Sequence, residues 1–198
     1  MRIQPPALLP ILRSQHQARL LTWLLLHPNE EYALGQLARL LRIAPSTLHQ
    51  EVERLVRADL IAERQVGRNR LLRANNSNRL TPALTELLTL SFGPSVVVGE
   101  EFDGVADADQ VIIYGSWAER YSGAEGPEPG DIDVMVIGKP DRDQVYAAAD
   151  RAQERLGIPV NPTIRTTSSW EAASDALVAA IKNSAHITVA GEGIGSAA

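Results

Sequence analysis

Cysteine is absent from this chain of 198 residues, and phenylalanine and methionine occur only twice each. Without cysteine the chain has neither disulfides nor thiolate metal sites, and its four scattered histidines lack the spacing of a zinc site. Apolar runs are short: the cluster at residues 20–26 is far below the ~20 residues that a membrane span needs. The N-terminus also lacks a secretory signal pattern. These absences predict a cytoplasmic protein without a membrane segment.

Charge is divided unevenly along the chain, although the net charge is only −5. Residues 1–80 hold 12 arginines against 6 acidic residues, whereas residues 81–198 hold 7 basic against 18 acidic residues. A basic half joined to an acidic half predicts two domains with different partners, and nucleic acid is the natural partner of the basic one.

Helical periodicity dominates the basic half. Apolar residues recur at helical spacing over residues 7–27, where a helix is ended by Pro28, and again over residues 33–41. Pro45 is well placed at the first position of a third helix. The inward face of that helix is predicted to carry Leu48, Val52, Leu55 and Val56.

A β-hairpin is predicted to follow the third helix, with its turn at Gly67, which can take a positive φ. Its basic tip carries Arg64, Arg68 and Arg70. Helix, helix, short turn, helix and basic hairpin within about 70 residues resembles a winged helix-turn-helix of the arsenic-repressor-like type.

That resemblance implies a double-stranded DNA partner. It also implies that the third helix enters the major groove. Base edges would meet Ser46, Thr47 and Gln50. Phosphates would meet Arg54 and the three arginines of the hairpin, and His49 could join either group. The alternative is a protein-binding module with ordinary solvated arginines.

The domain boundary is predicted at the Asn-rich stretch 75–78, which breaks all periodicity. We therefore expect a winged domain at 1–78, a linker helix within 79–94 that begins at Thr81, and a second domain at 95–198. The linker helix either packs between domains or across a dimer, or lies on its own domain.

The most informative segment of the acidic half is 114–137, where Gly115-Ser116 ends one apolar run and Asp131-Ile132-Asp133 opens the next. Two carboxylates at i and i+2 on a strand face the same way. Such a pair is a hard-oxygen site suited to Mg²⁺ carrying a nucleoside triphosphate, and a Gly-Ser turn offers N–H groups and a hydroxyl to phosphates.

The pattern of the acidic half is α/β with a small mixed sheet. Segment 95–102 fits either a strand or a helix. The remaining elements are four strands, at 110–115, 131–138, 158–165 and 186–190, and three helices, at 116–121, 141–156 and 168–182.

The Gly-Ser turn followed by Asp-Ile-Asp resembles the minimal branch of the polymerase-beta-like nucleotidyltransferase superfamily, over residues 95–192. The resemblance implies that Asp131 and Asp133 bind Mg²⁺ and that Gly115 and Ser116 hold the β- and γ-phosphates. The alternative is a surface hairpin whose acidic residues are merely solvated.

One feature departs from that family. Its active members carry a third carboxylate on the next strand, where this chain has only Asn161 and Thr163 as polar candidates. An amide is neutral and a far weaker base than a carboxylate.

We therefore expect a homodimeric DNA-binding transcriptional regulator that senses a metal-nucleotide. The alternatives are an active nucleotidyltransferase with the winged domain as targeting or autoregulatory arm, and a toxin–antitoxin component.

Overall fold

The computed structural model describes residue 12 and residues 14–124, 126 and 129–191. Within them the chain divides into two compact units that meet in sequence at Gly93 and Pro94. Both units combine helices with a small sheet, so the α/β fold class predicted from the sequence is confirmed.

The first unit begins with helix α1 (Gln15–Leu26), whose N-cap Ser14 accepts a hydrogen bond from the Gln17 N–H. Residues 7–11 and 13 of the predicted helix lie outside the described residues, and Ser14 is extended, so the described helix begins later than predicted. After the two-residue strand β1 (Tyr32–Ala33) come α2 (Leu34–Leu40) and α3 (Pro45–Arg57). Pro45 is the first residue of α3, as predicted from its missing N–H.

The hairpin of the first unit consists of β2 (Ile61–Val66) and β3 (Asn69–Ala74), which are antiparallel and joined by Gly67-Arg68. Gly67 has φ of 58°, as the turn was predicted to require. Strand β1 pairs with the other side of β3, giving the order β1-β3-β2. The unit thus has the element order of a winged helix, with one additional short strand.

Helix α4 (Thr81–Phe92) completes the first unit. Its buried Leu88, with Leu84 and Phe92, packs into the same apolar core as α1 and α3. The helical segment Thr81–Phe102 has the length and composition to cross a membrane. Core helices of soluble proteins share this length and composition.

The second unit begins with α5 (Pro94–Phe102), which settles the open choice between strand and helix. Strand β4 (Ala108–Tyr114), helix α6 (Ser116–Tyr121) and strand β5 (Ile132–Gly138) follow. Then come α7 (Arg142–Leu156), capped by Asp141, and strand β6 (Val160–Arg165).

The predicted single helix at 168–182 is two short helices, α8 (Thr167–Glu171) and α9 (Ala176–Lys182). Ala173 between them has a φ of 48°, which interrupts the helical backbone. Thr166 caps α8 and Asp175 caps α9, so each helix has its own start.

Strand β7 (His186–Gly191) completes a four-stranded sheet in the order β6-β5-β4-β7. Strand β4 is antiparallel to β5 and β7, whereas β5 and β6 are parallel, so the sheet is mixed, as predicted. Strand β6 lies at one edge and contains Pro162, which an edge strand tolerates because the missing N–H can face away from the neighbouring strand.

Candidate functional site

A row of polar side chains crosses the sheet of the second unit at the start of β5. The strand register places Asp133 beside Tyr114 of β4 on one side and beside Asn161 of β6 on the other, and Tyr114 beside His186 of β7. Residues paired in this way on neighbouring strands project from the same face. Asp131 lies two residues before Asp133. Five polar residues from four strands and one loop therefore meet at one end of one face.

The two aspartates interact through their charges. Burial raises the pKa of Asp133, the neighbouring Asp131 charge raises it further, and a hydrogen bond from Asn161 acts in the opposite direction, so that the pKa is raised overall. Asp133 is half-buried and Asp131 is exposed. Because the Asp131 charge acts on Asp133, a cation bound near one carboxylate would be attracted by the other as well.

Gly115 brings backbone up to this carboxylate pair. It precedes α6 with φ of 71°, and a Cβ atom at this position would lie 3.1 Å from Asp133 Oδ2. Both observations favour glycine here, since an L side chain is strained at this φ and would crowd the carboxylate. Ser116, the exposed first residue of α6, follows at once. The structure thus brings the Gly-Ser turn and the Asp-x-Asp pair together.

Asn161 lies where the sequence showed no third carboxylate. Its Nδ2 donates a hydrogen bond to Asp131 Oδ2 at 2.8 Å. Within the described residues no three His, Cys, Asp or Glu side chains gather to form a metal site. Two carboxylates nevertheless suit a Mg²⁺ ion that keeps several waters and brings its own phosphate ligands. The donor set therefore fits a metal that arrives with a nucleotide.

Aromatic and basic groups lie at the other end of the polar row. The Trp170 ring meets the His186 ring edge-on at 6.2 Å between centroids, and Lys182 Nζ lies 5.1 Å from the Trp170 centroid. Trp170 packs against the apolar cluster of the second unit. The place of His186 in the row was missed, because nothing in the sequence shows that β7 pairs with β4.

The candidate nucleic-acid interface of the first unit is the outer face of α3. Leu48, Val52 and Leu55 are buried, as predicted. On the other side Ser46, His49 and Gln50 are exposed and Thr47 is half-buried. The sequence assigned Ser46, Thr47 and Gln50 to base edges and left His49 open between base edges and phosphates, and these roles stay predictions.

The hairpin presents Arg68 at its turn, where the side chain is exposed. Within the described part of the chain this guanidinium has no hydrogen-bond or ion-pair partner. It is therefore available to a phosphate.

The other three arginines assigned to phosphates form ion pairs within the first unit. Carboxylates bind each of them: Arg54 Nη1 lies 2.9 Å from Glu51 Oε1, Arg64 is bound by Glu31, and Arg70 by both Glu53 and Glu63. Glu51 is itself buried, which the sequence gave no reason to expect of a helical glutamate. A phosphate would have to compete with these carboxylates for the three guanidinium groups.

No protein-family model matches this chain, and no curated protein matches it. Among solved structures, reduced HlyU from Vibrio cholerae is similar at 23% sequence identity and a TM-score of 0.35, over 42% of this chain and 82% of that one. A likeness of this size does not identify a function.

Proposed function

We propose that the protein is a DNA-binding transcriptional regulator whose first unit contacts double-stranded DNA. The observation that carries the proposal is the exposed polar face of α3 with the exposed Arg68 of the hairpin in the same unit. In a winged helix these two elements serve base edges and phosphates respectively. The arginine excess of residues 1–80 supplies the favourable electrostatic contribution.

We further propose that the second unit binds a nucleoside triphosphate with Mg²⁺. Asp131 and Asp133 would hold the metal, and Gly115 and Ser116 would hold the phosphates. The support is the lack of room beside Gly115, where a Cβ atom would lie only 3.1 Å from Asp133 Oδ2 and would crowd the carboxylate. In a homodimer, a nucleotide that binds one arrangement of the two winged units more tightly would shift the protein toward that arrangement. The resulting change in DNA affinity would be limited by the ratio of the nucleotide's affinities for the two arrangements.

The experiment has two stages. DNA fragments are first selected from a random pool on the immobilised full-length protein. The affinity for a selected fragment is then measured by fluorescence anisotropy with and without Mg²⁺ and each of ATP, GTP, CTP and UTP. We expect specific binding that one nucleotide changes by at least about fivefold, the lower range of allosteric coupling. Failure to enrich any DNA would reject the first proposal, and DNA affinity indifferent to all four nucleotides would reject sensing.

The second candidate function is nucleotidyl transfer to a hydroxyl of a protein, an RNA or a small molecule. It is favoured by the same proximity of Gly115 to Asp133. Incubation with α-phosphate-labelled triphosphates and Mg²⁺ tests it. Label transfer that disappears in both Asp131→Asn and Asp133→Asn would make this the main function, with the first unit as its targeting arm.

A further inference from the structure

Asn161 lies beside both aspartates. Its Nδ2 donates a hydrogen bond to Asp131 Oδ2 at 2.8 Å, and its backbone is the register partner of Asp133, so its side chain projects from the same face as the Asp133 carboxylate. The orientation of the amide is fixed by chemistry, because only its NH₂ group can approach a carboxylate favourably. The amide donor therefore lies against the carboxylates that a cation would use.

An amide and a carboxylate at this position have opposite effects on cations. The amide adds no charge, and its NH₂ group competes with a cation for the carboxylate oxygens. A carboxylate would add a third negative charge and one more metal-binding oxygen, which is what a second divalent cation requires. Because Asn161 is exposed and belongs to the edge strand, exchanging its amide for a carboxylate disturbs no buried packing.

We propose that Asn161 is the specificity-determining residue that limits this site to one divalent cation, so that the unit retains a metal-nucleotide and does not transfer from it. The proposal rests on the proposed nucleotide-binding function. It assigns the difference between binding and turnover to a single amide that is hydrogen-bonded to Asp131 and lies beside Asp133.

Counting bound Mn²⁺ by electron paramagnetic resonance tests the proposal on the full-length protein. Titrations are made with Mn²⁺ alone and with Mn²⁺ plus saturating ATP analogue that cannot be cleaved at the α–β bond. The variants are the wild type, Asn161→Asp and Asn183→Asp. The last of these adds the same charge at the exposed end of α9 and serves as the control.

With the nucleotide analogue, we expect one protein-dependent Mn²⁺ site in the wild type and in Asn183→Asp, and two in Asn161→Asp. With Mn²⁺ alone, Asn161→Asp should bind at least about tenfold more tightly, the usual size of an effect from a residue that contacts metal ligands. Two sites in the wild type would overturn the proposal without any variant. So would an Asn161→Asp protein that binds like the wild type.

The two proposals can fail separately. If Asn161→Asp binds Mn²⁺ more tightly but no variant binds the analogue, the effect of Asn161 on cation affinity stands, and nucleotide binding is rejected together with the retention of a metal-nucleotide. If the wild type binds the analogue with Mn²⁺ and Asn161→Asp changes neither affinity nor count, nucleotide binding stands and the role of Asn161 is rejected. If no variant binds either probe, both are rejected.

Discussion

Arg70 of strand β3 is bound by the carboxylate of Glu53 in helix α3. Glu63, on the neighbouring strand β2, holds the same guanidinium. Arg70 is thus shared between the hairpin and the helix that is proposed to enter the DNA groove. The shared guanidinium of Arg70 therefore holds the hairpin against helix α3.

Replacing Arg70 or Glu53 should loosen the hairpin. We expect Arg70→Ala and Glu53→Gln each to lower the melting temperature at neutral pH, and the double variant to lose less than the sum of the two. The Arg70 hydrogen bond and charge lower the pKa of Glu53, so this stabilisation is present above the usual value of 4.5 and is lost as pH falls through the lowered pKa. Thermal melts of the four proteins at neutral and acidic pH measure both effects. Additive losses would contradict the pairing.

Arg68 should behave differently from Arg70. Because it has no partner within the described residues, Arg68→Ala should leave the melting temperature unchanged. It should weaken DNA binding equally for all sequences and reduce the salt slope of the affinity by about one. Anisotropy titrations over a range of salt concentrations measure this. Arg142→Ala, at the start of α7 in the second unit, is the control that removes one exposed arginine elsewhere. An unchanged salt slope for Arg68→Ala would remove the hairpin turn from the interface.

Gly115 and Gly123 form a matched pair, since both have positive φ (71° and 87°) but only Gly115 faces a carboxylate. Alanine at either position should cost about 1 kcal/mol or more for the left-handed backbone. Only Gly115→Ala should also push Asp133 aside and weaken the binding of Mg²⁺-nucleotide. Urea unfolding and nucleotide titration of the two variants separate these effects. Equal nucleotide binding by both would show that the turn is not part of the site.

Glu101 of α5 should matter more to the second unit than its neighbour Glu100. The Glu101 side chain is 16% exposed and meets both Arg151 and Arg155, whereas Glu100 is 41% exposed and meets only Arg155. We expect Glu101→Ala to cost about 1–3 kcal/mol of unfolding free energy because it removes one charge-assisted hydrogen bond from each of Arg151 and Arg155. Glu100→Ala should cost about 0–1 kcal/mol. Urea unfolding measures both, and equal losses would contradict the burial argument.

The acid response of Glu101 follows from the same contacts. Burial acts to raise its pKa, but hydrogen bonds from Arg155 and Arg151 outweigh burial and lower it. Its contribution is therefore complete above the unfolded value of 4.5 and disappears as pH falls through the lowered pKa. The difference in stability between the wild type and Glu101→Ala should narrow on acidification.

Local signals in the sequence predicted the elements whose causes are themselves local. Pro45 placed the start of α3, and Gly67 placed the hairpin turn. The alternation of Asp131 and Asp133 around Ile132 indicated a shared face before the sheet was known. Each of these depends on one or two residues and their immediate neighbours.

Pairings between distant segments could not be predicted in the same way. The partner of Arg64 is Glu31, 33 residues away, so the hairpin looked more available to phosphate than it is. The division of the predicted 168–182 helix depends on a positive φ at Ala173, a residue type that favours helix. The β-branched run of α5 suited a strand as well as a helix, and tertiary packing decided between them.

Pro162 has a consequence for association between copies of the chain. An incoming strand that extends a sheet needs a continuous series of donors and acceptors along the free edge. Strand β6 offers an edge interrupted by a residue without an N–H, one position from Asn161. The edge that carries the candidate site is thereby protected against capture by another sheet, and the polar end of the strand stays open to small ligands.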